Sequence, residues 1–495
     1  MSAIGSILTN QGALDALQSI SNTTTNNSTL EAQLSSGLAI NSPGDDPAGY
    51  ITAQGFTSQL NGINQAVSNA NQGVSLLQTA QGALNQQVSI VQKLNSIAVQ
   101  AANGTQTSQE ESSLQNVVSQ LTSQVNTIAT QTQFNNINLL DGSFTGVQFQ
   151  VGANEGQTIS LSISSTKAGA IGLNASTVAF GATGAYNSVN TGNAASGAIT
   201  KGAPAATSGA FTAGNVGFTG GSGGTGSYTV AANTSAASIA AQVNSVSGTT
   251  GISAQATTSI TFTATAGSGS GATSGFSFKL AGSGGSSNSQ QITAKNVTDL
   301  VSEVNGKTAT TGVTAALNTA GNVVLTQANG QNIDITKATA GSLATTGSTP
   351  VKLGTAGSAS ATIQGQVQFQ SSTGFSLSNA ADIGLNTSST LSSLSNINVT
   401  TTAGANAAIN VVKFALQGLG NAGGQLGAVQ QRLQANINNL TTTGQNLNSA
   451  LGVVQDANIP QVSTQLTQAQ IQAQAGVAAL KSSTTLQQSF LSLLP

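Results

Sequence analysis

Every seventh residue from Val412 to Val454 is a large aliphatic: Val412, Leu419, Leu426, Leu433, Leu440, Leu447 and Val454. A second seven-step series, Ile63, Ala70, Leu77, Leu84, Val91 and Ala98, lies near the other end, with Val67, Val74 and Val88 four residues after members of it. Steps of four and three place these side chains on one stripe of a helix, and a strict seven-step period predicts a coiled-coil seam. A stripe cannot be buried by its own helix. The two are expected to pack on each other as a long antiparallel coiled-coil rod, with the two chain ends as its framework and the middle as an insertion.

Composition narrows the class. A length of 495 residues allows roughly three domains. Cysteine, histidine and tryptophan are absent, which removes thiol nucleophiles, thiolate metal sites and a His-Glu-x-x-His zinc motif. Charged residues make up 5% of the chain, against about 25% in ordinary globular proteins. Net charge is −2 and Arg432 is the only arginine. Nucleic-acid binding needs clustered Lys and Arg, so no nucleic-acid partner is expected. No apolar run of about 18 residues is present, so membrane insertion is not expected either. The first residues, Met1-Ser2-Ala3-Ile4-Gly5-Ser6-Ile7-Leu8, lack the basic start and apolar core of a secretory signal. A weakly charged surface repels its own copies weakly, which suits a subunit that stacks closely on itself.

Along the chain, residues 1–43 form a first amphipathic segment carrying Leu14, Leu17, Leu30, Leu34 and Leu38. Its stretch 21–28 is nearly all Ser, Thr and Asn, residues that compete for backbone hydrogen bonds and weaken helices. It is expected to be helical only when packed. Ser42-Pro43-Gly44-Asp45-Asp46-Pro47 is a break, with acids placed to cap the next helix. Residues 44–180 read as a rod part: a helix of about 45 residues and ~70 Å, a turn at Asn103-Gly104, and a second helix marked by Leu114, Val117, Leu121, Val125 and Ile128. The period then changes to two at Val147, Phe149, Val151 and at Ile159, Leu161, Ile163, around a Gly152-Ala153-Asn154-Glu155-Gly156 turn. That pattern predicts a β-hairpin.

Residues 181–385 are rich in Gly, Ser, Thr and Ala and contain a repeat, assigned to 229–290 and 291–350. Ser238-Ile239-Ala240-Ala241-Gln242-Val243-Asn244 matches Asp299-Leu300-Val301-Ser302-Glu303-Val304-Asn305. Thr249-Thr250-Gly251-Ile252-Ser253-Ala254 then matches Thr310-Thr311-Gly312-Val313-Thr314-Ala315 in the same register. Each copy should be a short helix, a turn and strands, Ile260-Thr261-Phe262 in one and Val323-Val324-Leu325 in the other. The fold class is therefore mainly α at the termini, with an inserted α+β, β-rich outer region; the chain is multidomain. Residues 386–456 hold the C-terminal rod helix, and 457–495 hold a last amphipathic segment with Val462, Leu466, Ala469, Ala473, Val477 and Leu480. It ends in the apolar tail Phe490-Leu491-Ser492-Leu493-Leu494-Pro495.

Burying seven seam residues yields on the order of 10–20 kcal/mol. Ordering a 45-residue helix costs more, at ~1–2 kcal/mol per residue. The terminal segments are thus expected to order by packing on each other and on neighbouring copies, through Leu14, Leu17, Leu34, Leu38, Leu466, Val477, Leu480, Leu491 and Leu494.

Several motifs resemble bacterial flagellins. Leu34-Ser35-Ser36-Gly37-Leu38-Ala39-Ile40-Asn41-Ser42, Asp45-Asp46-Pro47-Ala48-Gly49, Asn69-Ala70-Asn71-Gln72-Gly73-Val74-Ser75-Leu76 and Ile97-Ala98-Val99-Gln100-Ala101-Ala102-Asn103 are similar to that family's N-terminal half. Gln150-Val151-Gly152-Ala153-Asn154 is similar to its hairpin, and Leu426-Gly427-Ala428-Val429-Gln430-Gln431-Arg432-Leu433 and Leu491-Ser492-Leu493-Leu494 to its C-terminal part. The resemblance implies a subunit of an extracellular flagellar filament, a helical homopolymer. It also implies unfolded passage through the flagellar type III export channel, an export chaperone, a filament cap and hook-associated proteins as partners, and no cofactor. A hook–filament junction protein of the same superfamily and a surface adhesin using the middle domain are the alternatives. Gln92-Lys93-Leu94-Asn95-Ser96 stands where many members have two arginines and a glutamate, so recognition by the animal innate receptor for flagellin is not implied.

The adjacent acids Asp45/Asp46 and Glu110/Glu111 read as helix-end residues and not as an acid–base pair, so no enzyme is expected. The glycine-rich stretches near 220 and 267 lack the Gly-Lys-Ser/Thr of a phosphate loop and read as linkers. Ser and Thr density in the middle would support O-linked glycan.

Overall fold

The computed structural model describes residues 10–179, 186–191, 214–221, 223–230, 235–268, 274–282, 288–340, 342–345, 352–353, 359–363, 365–378 and 388–491. Three helices open the chain: α1 Gln11–Ser36, α2 Pro47–Ala101 and α3 Ser108–Gln131. Short strands β1 Gln133–Phe134, β2 Ile137–Asn138, β3 Val147–Gln150 and β4 Thr158–Leu161 follow. The middle runs β5 Gly172–Ala179, β6 Tyr186–Thr191, β7 Gly214–Gly220, β8 Thr225–Val230, α4 Ala236–Ser245, α5 Ser247–Thr250, β9 Ser253–Thr265, β10 Gly267–Ser268, β11 Ser274–Ala281 and β12 Gln290–Ala294. It continues through α6 Val297–Gly306, α7 Thr308–Thr311, β13 Val313–Leu317, β14 Val323–Gln327, β15 Ile333–Ala340, β16 Ser342–Thr345, β17 Lys352–Leu353, β18 Ala359–Ile363, β19 Gln366–Ser371, β20 Phe375–Ser378 and β21 Thr390–Ser393. Two helices close it, α8 Thr402–Gln455 and α9 Ile459–Leu491.

The chain forms two compact units. One comprises Met1–Thr79, Phe144–Ser162 and Gln425–Pro495; the other comprises Ala80–Ser143 and Ile163–Gly424. In the first, the N-terminal part of α2 meets the C-terminal part of α8 in antiparallel register. A side chain at Gly73 would touch Leu433 at 3.1 Å and Phe149 of the hairpin at 3.4 Å, and one at Gly444 would touch Ile63 at 3.6 Å. Asn69 Nδ2 donates to Gln150 O at 3.1 Å, fixing the β3–β4 hairpin on α2. That hairpin pairs Val147 with Leu161 and Gln150 with Thr158.

α2 has 55 residues, longer than the 45 expected. Pro47 starts it and its missing N–H is harmless in a first turn, while Asp46 Oδ1 accepts from Ala48 N at 3.1 Å. Asp45 works on the loop before it: Ser42 N and Asn41 N donate to Asp45 Oδ2 at 2.8 and 2.9 Å, which holds its carboxyl below the usual range. Glu110 forms a capping box with Thr107 at the start of α3. Pro460 lies in the first turn of α9, after the break that ends α8.

In the second unit α3 is tied to α2 by Gln87, whose Nε2 donates to Val125 O at 3.1 Å. The buried stripe of α3 is Val118, Thr122, Val125 and Ala129. It is rotated from the expected one: Val118 and Thr122 are buried and Val117 is exposed. Gln115 clamps the segment before α8 by two bonds, to Ile397 O at 3.2 Å and from Val399 N at 2.8 Å.

The repeat is visible atom by atom. Asn244 on α4 grips the backbone of Ala254 by both amide atoms, at 2.9 and 2.8 Å; Asn305 on α6 grips Ala315 at 2.8 and 2.7 Å. Gly251 and Gly312 close the two turns with φ of 69° and 72°, a left-handed conformation that favours glycine. The two copies do not, however, divide into the expected 229–290 and 291–350 blocks. A turn at 318–321 folds the second copy into the β13–β14 hairpin, with Gly321 N donating to Asn318 O at 2.9 Å. The first copy runs straight as the 13-residue strand β9. The front of β9 pairs with β19, Ser253 opposite Gln370 through Thr257 opposite Gln366. Its rear pairs with β14, Thr258 opposite Gln327 through Phe262 opposite Val323. One hydrophobic core gathers Phe218, Tyr228, Ile239, Val243, Ile252 and Phe369. A second gathers Phe262, Phe276, Leu280, Leu300, Val304 and Leu325. The second module is thus inserted into the first between Thr257 and Gln366.

Two predictions follow from this arrangement. Replacing residues 258–365 by Asn-Gly should close the front of β9 and β19 as a two-residue hairpin and leave the first core folded. Near-UV circular dichroism of Tyr228, isolated by a Tyr228→Phe control, checks this. Separately, the Tyr228 hydroxyl is buried without a hydrogen-bond partner among the described residues, and burial raises its pKa well above the ordinary 10.0. A raised folded-state value means that stability is fully present below that ordinary value and declines as pH rises beyond it. Tyr228→Phe should therefore raise stability by about 1 kcal/mol at neutral pH and abolish the alkaline decline, as read by thermal melts across the alkaline range.

Candidate assembly surface

The terminal segments form an antiparallel pair of helices, and their sequence determines which side chains meet. Asn10 caps α1, its Oδ1 accepting from Ala13 N at 3.0 Å. The same side chain reaches α9: Nδ2 donates to Ser483 O at 3.4 Å, and Ser483 Oγ donates to Asn10 Oδ1 at 3.1 Å. At the opposite end Ala39 N donates to Gln455 O at 2.7 Å, and Ala457 N donates to Gly37 O at 2.9 Å. Gly37, at φ 74°, ends α1 so that this junction can form. The polar stretch 21–28 is helical throughout. Thr23, Thr24, Thr25 and Ser28 each donate to the carbonyl four residues back, at 2.7 to 3.1 Å, which satisfies the hydroxyls but adds no stability to a helix that their propensity disfavours.

Between the helices the contacts are mostly small. Ala13, Ala16 and Thr23 on α1 and Ala473, Gly476 and Ser483 on α9 are half-buried. A side chain at Gly476 would meet Ile20 at 3.0 Å, and one at Gly12 would meet Ser483 Oγ at 3.4 Å. Toward the junction the contact grows larger, with Leu30, Val462 and Ala469 forming a buried cluster against Leu466 and Ala457. Small residues permit close axial approach and leave the large ones elsewhere. Leu14, Leu17, Ile471, Val477 and Leu486 are 53 to 61% exposed.

The expected terminal residues therefore separate. Leu38, Leu466 and Leu480 are half-buried. Leu14, Leu17, Leu34 and Val477 point outward. The side chain of Leu491 and all of Leu494 lie outside the described residues. Of the expected seam residues, Ile63, Leu77, Leu84, Val91, Val412, Leu419, Leu426 and Leu433 are buried. Val67, Val74, Val88, Leu440, Leu447 and Val454 are half-buried. Sequence reasoning missed Gly73 as the seat of Leu433, and Ala13, Ala16 and Gly476 as contact residues. The available signal was small residues recurring at steps of three and four, which a search for large aliphatics passes over. Among the described residues no group of His, Cys, Asp or Glu could hold a metal ion, and no helix is long and apolar enough to cross a membrane.

Comparison with known proteins agrees with this architecture. Residues 7–145 match the model of the bacterial flagellin N-terminal helical region, and residues 409–494 match that of the bacterial flagellin C-terminal helical region. The B-type flagellin of Pseudomonas aeruginosa is 32% identical over 505 aligned positions, covering 98% of this chain and 99% of that one. A flagellin of Clostridium tyrobutyricum is 45% identical over 135 residues, 27% of this chain and 36% of its own. A solved structure of FliC from Burkholderia pseudomallei shares 22% identity at a TM-score of 0.30, covering 73% of this chain and 99% of that one. On the agreement with the Pseudomonas protein from end to end, this chain belongs to the bacterial flagellin family.

Proposed function

We propose that this chain polymerises into an extracellular bacterial flagellar filament through the outward apolar face of α1 and α9. The observation that carries this reading is the outward apolar face just described: small residues fill much of the contact within the pair, and Leu14, Leu17, Ile471, Val477 and Leu486 face away from it. Each outward side chain is about half-exposed already, so covering it yields roughly 1 kcal/mol, and five yield on the order of 5 kcal/mol. Fixing one subunit on another costs about 4–15 kcal/mol. A single pairwise contact through this face is therefore too weak to persist. A lattice in which each subunit touches several neighbours at once overcomes that cost.

Export in an unfolded state, with a chaperone holding the C-terminal segment, is part of the proposal. The absence of cysteine removes cross-linking in transit, and a helix pair with such small contacts unfolds at low cost. Polymerisation beneath a cap, on a base of hook-associated proteins, completes it. O-linked glycan would attach in the Ser- and Thr-rich middle, much of which lies outside the described residues. A structural role is favoured over an enzymatic one because Asp45, Asp46 and Glu110 serve as loop and helix-end ligands. The junction-protein alternative is not favoured, since the end-to-end relative is a flagellin.

Leu14→Gln combined with Leu17→Gln should leave the helicity of the monomer unchanged, because both positions are exposed and Gln forms helix nearly as well as Leu. The loss of about 2 kcal/mol should raise the concentration needed for seeded polymerisation roughly thirtyfold. Filaments growing at the parental concentration would overturn the proposal. Replacing residues 176–389 by a short turn should keep the β5–β21 pairing, from Gly172 opposite Ser393 to Ala175 opposite Thr390, and electron microscopy should still show filaments. Loss of assembly in that variant would favour a role carried by the middle domain.

A further inference from the structure

Four Asn-Gly steps occur in this sequence, at Asn61, Asn103, Asn305 and Asn329. The peptide nitrogen of such a glycine can attack the preceding side-chain amide, since no Cβ stands in its way. The chain geometry needed for that attack differs sharply among the four. Asn61 and Gly62 lie inside α2, where the amide nitrogen is held in the helix ladder. A side chain at Gly62 would collide with Ala153 at 2.8 Å, so that backbone has no room to rearrange. Asn305 lies inside α6, and both its amide atoms are committed to Ala315. At Asn329, Gly330 N donates to Gln327 O at 3.3 Å and Asn329 N donates to Gln327 Oε1 at 2.7 Å. Gly330 is also pressed against the backbone of Ala256.

Asn103 is different. It lies in the turn between α2 and α3 and is exposed, as is Gly104. The turn is held at its ends: Asn103 N donates to Gln100 O at 3.2 Å, and Gln106 N donates to Asn103 O at 3.3 Å. Neither the Asn103 side chain nor Gly104 N has a hydrogen-bond partner among the described residues, and the space around Gly104 is open. The nucleophile and its target are adjacent, unengaged and hydrated.

We infer that Asn103 is a self-modification site, converting to aspartate and isoaspartate in the folded protein while the other three Asn-Gly steps are protected by the fold. Gly104 N loses its proton to solvent base and bonds to Asn103 Cγ. The Cγ–Nδ2 bond breaks and ammonia leaves, giving a five-membered cyclic imide. Water then adds to one of its two carbonyls and opens the ring, leaving one new carboxylate. No oxidant or reductant is involved. In a chain whose net charge is −2, each conversion is a large relative change. The isoaspartate product also adds a backbone atom at the turn leading into the Thr107–Glu110 cap. A subunit ages by this route without any enzyme.

The test incubates the full-length folded chain, and the same chain unfolded in urea, in mildly alkaline buffer. Peptide mass mapping and isoaspartyl methyltransferase labelling follow all four positions. The unfolded chain should convert at all four steps at comparable rates. The folded chain should convert at Asn103 and stay silent at Asn61, Asn305 and Asn329, with a one-step acidic shift on isoelectric focusing that Asn103→Ala abolishes and Gly104→Ala slows. Conversion in the folded chain at any of the other three as fast as at Asn103 would overturn the inference. So would an unmodified Asn103 under conditions that convert it in urea.

Discussion

Close approach of α1 and α9 is the contact on which the assembly surface depends. Along the stretch where their facing residues are mostly Ala, Gly, Ser and Thr, the two helices can bring their backbones near each other, but they bury little apolar surface in doing so. Beyond the cluster around Leu30 and Val462, large aliphatics must go elsewhere, and Leu14, Leu17, Ile471, Val477 and Leu486 go outward. A helix pair built this way is stable enough to have a defined register, set by Asn10 and Ser483 at one end and by the Gly37–Ala457 junction at the other. It is too weakly packed to satisfy its own hydrophobic residues. Polymerisation is the completion of that packing, and low net charge removes the repulsion that would oppose it.

The long helices α2 and α8 solve a different problem with a related device. Gly73 gives Leu433 a seat, and the β3–β4 hairpin covers the same spot through Phe149. Heptad aliphatics alone would space the helices apart; a glycine opposite a leucine lets knob and hole fit. The middle region uses neither device. Its two modules are held by asparagines that hydrogen-bond to strand backbone and by cores rich in Phe, Ile and Val. Fourteen phenylalanines in the whole chain suffice because several of them are concentrated in these two small cores.

Much of this was legible in the sequence. The seven-step series located α2 and α8, the period-two stretches located the hairpin, and the internal match located α4 and α6 with their following turns. The errors have physical causes. The stripe on α3 was misjudged because Val117 and Val118 are adjacent and equally apolar, and only the packing of the helix chooses which of them is buried. The module boundary was misjudged because a missing turn in the first copy turned a hairpin into one strand shared by both modules. The difference is one of turn chemistry, Asn318 and Gly321 in the second copy against Ala256-Thr257-Thr258-Ser259 in the first, and a comparison confined to the matched apolar positions passes over it.

Periodicity, helix breaks and composition by themselves determined that this chain has helical ends, a repeated insertion and no equipment for catalysis by thiol or imidazole. These are local properties, set within one or two turns of backbone. The direction in which Leu14, Leu17 and Val477 point was decided only by tertiary structure. A helix with apolar residues on more than one face can bury either, and the choice of the small face over the large one depends on what its partner presents across the gap. The same holds for Asn103: four identical dipeptides carry the same intrinsic chemistry, and only the fold distinguishes an engaged nitrogen from a free one.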